Sequence, residues 1–144
     1  MTDPILRAVE DAAALAACFP VLRALRPHLA DPAAFAAQVE RQRAQGYRLL
    51  AAWRDGQAVG AAGWRLTENL IHGRFAYVDD LVVAETERRS GLGARLLEAV
   101  ADAARAAGCR RMILDTGLEN ALAQRFYFRF GMLARGLHFG IDLP

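Results

Sequence analysis

Residues 88 to 94 read Arg88-Arg89-Ser90-Gly91-Leu92-Gly93-Ala94, and their spacing is that of an anion cradle. A strand-like run, Phe75 to Val83, precedes them, and an amphipathic helical pattern starts at the glycines. A glycine turn between strand and helix presents unpaired backbone N–H groups at a helix N-terminus, where the macrodipole also favours negative charge. Gly91 and Gly93 let a phosphate approach the main chain, and Arg88 and Arg89 add charge at the rim. The expected anion is the pyrophosphate of a coenzyme. Two other groups could do chemistry: the adjacent carboxylates Asp79 and Asp80, and a helical stretch carrying Asn120, Ala123, Phe126 and Tyr127.

The two commonest phosphate-binding motifs do not fit the turn. A dinucleotide fingerprint, G-x-G-x-x-G, needs a small residue where Leu96 stands, and it belongs on the first strand of a parallel unit. A P-loop needs a lysine, and this chain has none: all 18 basic residues are arginine. The same absence removes Schiff-base catalysis. A flavin or nicotinamide enzyme using the turn in another way remains a rival reading.

The motif Arg88-x-x-Gly91-x-Gly93 resembles the Arg/Gln-x-x-Gly-x-Gly/Ala segment of the GNAT superfamily of N-acetyltransferases, and Val82-Val83-Ala84-Glu85 looks like that family's fourth strand and its exit. A second block, Asn120-x-x-Ala123-x-x-Phe126-Tyr127-x-x-x-Gly131-Met132, resembles the family's Asn-x-x-Ala-x-x-Phe-Tyr-x-x-x-Gly-Phe, with Met132 in place of the usual Phe. Both blocks occur in the family's order. The resemblance implies that main-chain N–H groups from Arg89 through Ser90, Gly91, Leu92 and Gly93 to Ala94 hold the pyrophosphate of acetyl-CoA. It further implies that the main chain of Leu81, Val82 and Val83 pairs with the pantetheine arm. Asn120 would bond the pantetheine, Ala123 would leave room for it, and Phe126 and Tyr127 would also contact the coenzyme. Tyr127 would protonate the departing thiolate, as a phenol within hydrogen-bond reach of the sulfur can. Asn120 and Tyr127 lie seven positions apart, so they share a helix face.

Amine acetylation also needs a proton acceptor. Similar enzymes often carry a carboxylate near the position of Asp79, acting through a water, so Asp79 is the favoured base; Asp80 and a water relay remain open. Adjacent strand residues face opposite sides of a sheet, so at most one of the two aspartates is expected to face the acetyl group. The acceptor is expected to be a primary amine on a small molecule or a peptide or protein terminus. Glu10, Asp11, Asp31 and Glu40 are scattered rather than clustered, whereas Arg26, His28 and Arg135 could meet a carboxylate or phosphate on the acceptor. The alternative is a non-catalytic CoA-binding sensor domain of the same fold.

The elements that must position these groups can be read in turn. Ile5 to Val9 is a first strand. Asp11 caps an Ala/Leu-rich helix that Pro20 is expected to interrupt and Arg26-Pro27 to end. Asp31-Pro32 opens a second helix to Gln45, closed by Gly46. Tyr47 to Arg54 and Gln57 to Leu66 form a hairpin on Asp55-Gly56, and after His72-Gly73 a strand runs from Arg74 to Ala84. The helix after the glycines turns Leu92, Leu96, Val100, Ala103 and Ala107 inward. Arg111 to Thr116 is a strand, Glu119 to Phe130 a helix stopped by Gly131, and Leu137 to Leu143 a final strand. An antiparallel meander followed by a β-α-β crossover predicts an α+β fold, a mixed central sheet with helices on both faces, in one GNAT-like domain over residues 1–144.

At 144 residues, 54% hydrophobic and 24% charged, the chain can bury a core without metals or cross-links. A net charge of +2 does not argue for nucleic acid, and no run is long and apolar enough for a membrane. Cys18 and Cys109 form neither a metal spacing nor a disulfide framework, so no metal is expected. The expected setting is bacterial and cytoplasmic, and a homodimer is the base-rate expectation.

Overall fold

The computed structural model describes residues 2–144. The elements run β1 (Ile5–Ala8), α1 (Ala12–Leu25), α2 (Pro32–Arg43), β2 (Tyr47–Arg54), β3 (Gln57–Asn69), β4 (Gly73–Val83), a 3-10 turn (Glu85–Glu87), α3 (Leu92–Ala106), β5 (Arg111–Leu114) and α4 (Ala121–Phe130). The strands lie in the order β1-β2-β3-β4-β5, and the first four pair antiparallel, so the sheet is mixed once the crossover through α3 adds β5. The chain forms two compact units, the first ending at Ile113 and the second spanning Leu114–Pro144.

Local chemistry explains most element ends. The carboxylates of Asp11 and Asp31 each accept a 2.8 Å bond from the N–H three residues on, at Ala14 and Ala34. Asp55 and Gly56 both take positive φ, which a two-residue hairpin loop demands. Gly46, Gly108 and Gly131 take the left-handed conformation just after helices, as expected.

Within the first unit, α1 and α2 cover one face of the sheet. Leu15, Phe19, Leu22, Phe35 and Val39 meet Tyr47, Leu49, Ala51 and Ala61 there. α3 packs on the other face, where Leu92 and Leu96 crowd Gly60 closely enough to leave little room for a Cβ.

Beyond shifts of a residue or two at element ends, these expectations need correction. Pro20 does not interrupt α1. It forfeits one backbone bond, but Leu15, Cys18, Phe19, Val21 and Leu22 are buried around it, and their packing carries the helix through. The inward stripe of α3 is Leu92, Leu96, Leu97, Val100, Ala101 and Ala104, slightly rotated from the expected one. β3 extends to Asn69, because β4 continues to pair with it as far as Gly73. Leu137 to Leu143 forms no strand, and Leu137, Phe139, Ile141 and Leu143 are exposed. A period-two pattern describes a face, whereas a strand exists only with a partner to take its backbone bonds.

Candidate functional site

In the first unit, β4 carries a bulge at the two aspartates. Gly63 of β3 stands opposite Asp80, but the next residue, Trp64, stands opposite Val78, so Asp79 is the extra residue. A bulge re-aims side chains by breaking the strict alternation of a strand. Asp79 and Asp80 consequently line the same cavity, of about 330 Å³, beside α1 and α2. Both aspartates thus border one cavity instead of alternating strictly between the two faces of the sheet, and the bulge is the reason.

Each aspartate has its own partners. Arg65 holds Asp79 with its guanidinium fork, Nε to Oδ2 at 2.9 Å and Nη2 to Oδ1 at 2.9 Å. Asp80 receives a 2.7 Å bond from the Tyr47 hydroxyl on Oδ2 and one of 3.1 Å from Arg26 Nε on Oδ1. Arg26 also donates to the carbonyl of Asp79 at 2.7 Å. It therefore comes to the cavity already committed to carboxylate and carbonyl oxygens, not as a cation awaiting an anionic acceptor. His28 lines the cavity too, whereas Arg135 is an exposed residue of the second unit. Burial and the neighbouring carboxylate of Asp80 push the Tyr47 phenol far above its ordinary value, so it stays a donor. No local sequence signal points to Tyr47 or Arg65, because each matters only through an aspartate that the fold brings to it.

Past the bulge, Leu81, Val82 and Val83 pair with Ala62, Ala61 and Gly60. The four-residue β5 can accompany only part of the eleven-residue β4 on its other side. The chain then enters the 3-10 turn and the glycine turn. Arg89 (φ +66°) and Gly91 (φ +82°) are both left-handed, and Gly91 is the N-cap of α3. The N–H of Ser90 is taken by the Glu87 carbonyl at 3.3 Å, so an anion here would meet chiefly the N–H groups of Gly91, Gly93 and Ala94. Gly91 offers no capping side chain, and Ser90 Oγ accepts a 3.3 Å bond from the N–H of Leu92. Gly93 and Ala94 come next, within the first turn of α3, where N–H groups lack a helical acceptor. Arg88 and Arg89 are exposed at the rim. These residues fit a diphosphate in backbone shape and in charge.

The second unit holds the other block. Asn120 caps α4, its Oδ1 accepting a 3.1 Å bond from the N–H of Ala123. Gln124 ties the helix start back to the carbonyls of Gly117 and Leu118 at 3.0 and 2.9 Å. Phe126 packs edge-on against Tyr127, ring centroids 5.3 Å apart. Tyr127 is half-buried, and that burial raises its phenol above the ordinary value. Gly131 ends the helix in a left-handed cap, with Met132 N–H bonded to the Tyr127 carbonyl at 3.0 Å.

The remaining candidates are accounted for locally. His72 Nδ1 meets Arg111 Nη1 at 2.8 Å beside the β3–β4 turn, and His138 meets Asp115 at 3.2 Å on the surface of the second unit. Both cysteines are buried and free, and burial pushes the Cys18 thiol up to about 12, which leaves it unreactive. Among the described residues, no group of three or more His, Cys, Asp or Glu gathers as a metal site, and no helix is long and apolar enough to cross a membrane.

Known proteins resemble this chain in sequence and in fold. The family model described as "Acetyltransferase (GNAT) family" matches residues 12–132. An "IAA acetyltransferase" of Azospirillum brasilense is 35% identical over 89 residues, covering 62% of this chain and 56% of that protein. A protein of Oryza sativa subsp. japonica named "Probable glucosamine 6-phosphate N-acetyltransferase 2" is 32% identical over 69 residues, covering 48% and 40%. The chain thus spans about half the length of the curated relatives it matches. Among solved structures, an aminoglycoside acetyltransferase in complex with a CoA-containing bisubstrate analogue superposes with a TM-score of 0.83 at 22% identity, covering 99% of this chain and all of that one. That likeness concerns the fold.

Proposed function

The chain belongs to the GNAT acetyltransferase family, and on that premise we propose that it moves the acetyl group of acetyl-CoA directly onto a primary amine. The observation that carries the proposal is the sequence of devices along one stretch of the first unit. A bulge sets two aspartates beside one cavity, and the same strand then delivers the chain to a left-handed turn opening α3.

Acetyl-CoA, when bound, supplies a thioester carbonyl and a thiolate leaving group. The turn from Arg89 to Ala94 binds the diphosphate, with Arg88 and Arg89 balancing its charge. Leu81, Val82 and Val83 offer main-chain groups to the pantetheine, and a backbone N–H near Val83 polarises the carbonyl. Asp79 takes the proton that the attacking amine must lose, directly or through a water. As the new C–N bond forms and the C–S bond breaks, the sulfur takes a proton from Tyr127. The roles of Tyr127, Asn120, Ala123 and Phe126 rest on the family motif.

The cavity suits a small acceptor, at the lower end of the ~300–1,000 Å³ range of small-molecule sites. Leu22, Leu29, Phe35 and Val39 supply apolar wall, and Gln38 and Gln42 supply amides. Each aspartate carries an arginine partner, so the cavity has no large excess of negative charge to attract a polycation. An amine with a compact apolar body fits this lining, its ammonium received by Asp80 in exchange for Arg26, whose side chain is partly exposed.

The test is incubation of the protein with acetyl-CoA and a panel of primary amines while free thiol is monitored. Amine-dependent thiol release is expected. CoA binding without release for any amine would leave the sensor reading, and absence of CoA binding would overturn the proposal.

A further inference from the structure

We propose that the Arg54–Glu87 ion pair is a positioning device for the coenzyme turn, and that it also screens that turn from a carboxylate the fold places beside it. The inference rests on the reading of residues 88–94 as the diphosphate site. Glu87 is the buried charged residue among the described residues, and it sits immediately before the turn. Arg54, the last residue of β2, grips it with both prongs, Nε to Oε1 at 2.7 Å and Nη2 to Oε2 at 3.0 Å. Arg54 also donates to the carbonyl of Thr2, so one side chain ties together the N-terminal segment, the β2 end and the turn.

The main chain of Glu87 is an anchor in both directions. Its N–H bonds Ala84 O at 2.8 Å, and Ala84 N–H in turn bonds Val59 O of β3 at 2.8 Å. Its carbonyl accepts from both the N–H and the hydroxyl of Ser90, and Ser90 Oγ accepts from Leu92 N–H, the first residue of α3. Orientation therefore passes from Arg54 through Glu87 and Ser90 to the N-terminus of α3. What lies between is exposed and contains two left-handed residues, one of them a non-glycine that holds such a conformation only when its surroundings enforce it. A guanidinium–carboxylate fork enforces orientation better than an apolar contact, because two parallel bonds fix rotation as well as distance.

Charge gives the second part. An uncompensated carboxylate at Glu87 would lie within a few residues of the N–H groups that must receive a diphosphate, and like charges at such short range repel even through partly exposed surroundings. Arg54 cancels that field. A buried ion pair is weak evidence of a contribution to stability, since apolar residues often serve as well. A charged pair at this place is better explained by the anion-binding turn that begins at the next residue.

The experiment compares wild type, Arg54→Met, Arg54→Lys and Glu87→Gln by calorimetric titration with CoA and by steady-state kinetics, at a temperature well below each protein's melting transition. Arg54→Met leaves Glu87 unpaired. It should weaken CoA binding and raise KM for acetyl-CoA by about tenfold or more, with kcat changing far less. Glu87→Gln, which removes the charge and keeps the shape, should weaken binding less, and Arg54→Lys should recover part of the loss. A merely structural pair would lower the melting temperature and leave the CoA Kd unchanged in the folded variants, which overturns the proposal. If Arg54→Met does not fold, Glu87→Gln decides alone, a wild-type Kd overturning it. If the wild-type protein binds no CoA, the site reading itself fails and takes this inference with it; binding by wild type with equal binding by the variants fails the inference only.

Discussion

The hydroxyl of Tyr47, on β2, reaches Oδ2 of Asp80 at 2.7 Å, although β4 lies two strands away across the sheet. It can do so because the residue between them, Gly63, has no side chain. Gly63 pairs with Asp80 on one side and with Leu49 on the other, and a Cβ there would collide with the Tyr47 hydroxyl and ring. The glycine is demanded by close approach, not by backbone conformation.

Gly63→Ala should therefore push Tyr47 out of its buried place and break its bond to Asp80. A loss of about 1–3 kcal/mol is expected from overpacking, read as a lower midpoint in denaturant. Tyr47 also makes stability depend on alkaline pH. Its phenol is raised in the folded chain, so the contribution is complete below the unfolded value of 10.0 and is lost as pH rises above it. Tyr47→Phe should flatten that alkaline loss.

The two aspartates should separate kinetically. Asp79→Asn removes the proposed base and should lower kcat by about a hundredfold or more, with the KM for the amine changing far less. Asp80→Asn should act chiefly on the KM for the amine. The reverse pattern would exchange their roles.

Tyr127→Phe should lower kcat by about a hundredfold while the Kd for CoA stays near wild type. Because burial raises the Tyr127 phenol, the wild-type alkaline limb should fall above the ordinary value of 10.0, and it should be absent in the variant. Unchanged turnover would remove Tyr127 from the mechanism.

Arg89→Gly should stabilise the protein. Arg89 holds a φ of +66°, which costs an L-residue roughly 1–2 kcal/mol. After the entropy that glycine adds to the unfolded chain, a gain of about 1 kcal/mol should remain, a rise of ~3 °C in Tm. The measurement is a thermal melt without coenzyme.

Glu87 should make stability sensitive to acid. The bonds from Arg54 lower its carboxyl below the ordinary value of 4.5. A depressed carboxyl contributes stability that is present above the unfolded value and is lost as pH falls through the lower folded one. Wild type should thus lose its advantage over Glu87→Gln only below pH 4.5, read from denaturation midpoints across acid pH.

What could be read from the sequence is what chemistry acts locally to create. The caps at Asp11 and Asp31, the Asp55-Gly56 hairpin, the glycine opening of α3 and the Asn120–Tyr127 helix each depend on residues a few positions apart, so their spacing announces them. The family is legible in the same two blocks. Tertiary structure decided the rest, because it depends on partners distant along the chain. Whether Leu137 to Leu143 becomes a strand depends on a partner strand, and its alternation says nothing of one. The bulge that turns both Asp79 and Asp80 into one cavity is a property of how β3 and β4 pair, not of either strand alone. Arg65 for Asp79, Tyr47 for Asp80 and Arg54 for Glu87 are contacts between different strands and turns, which no periodicity within one element encodes. The sequence determined which groups could do the chemistry; strand register determined which of them face the same cavity and what holds them there.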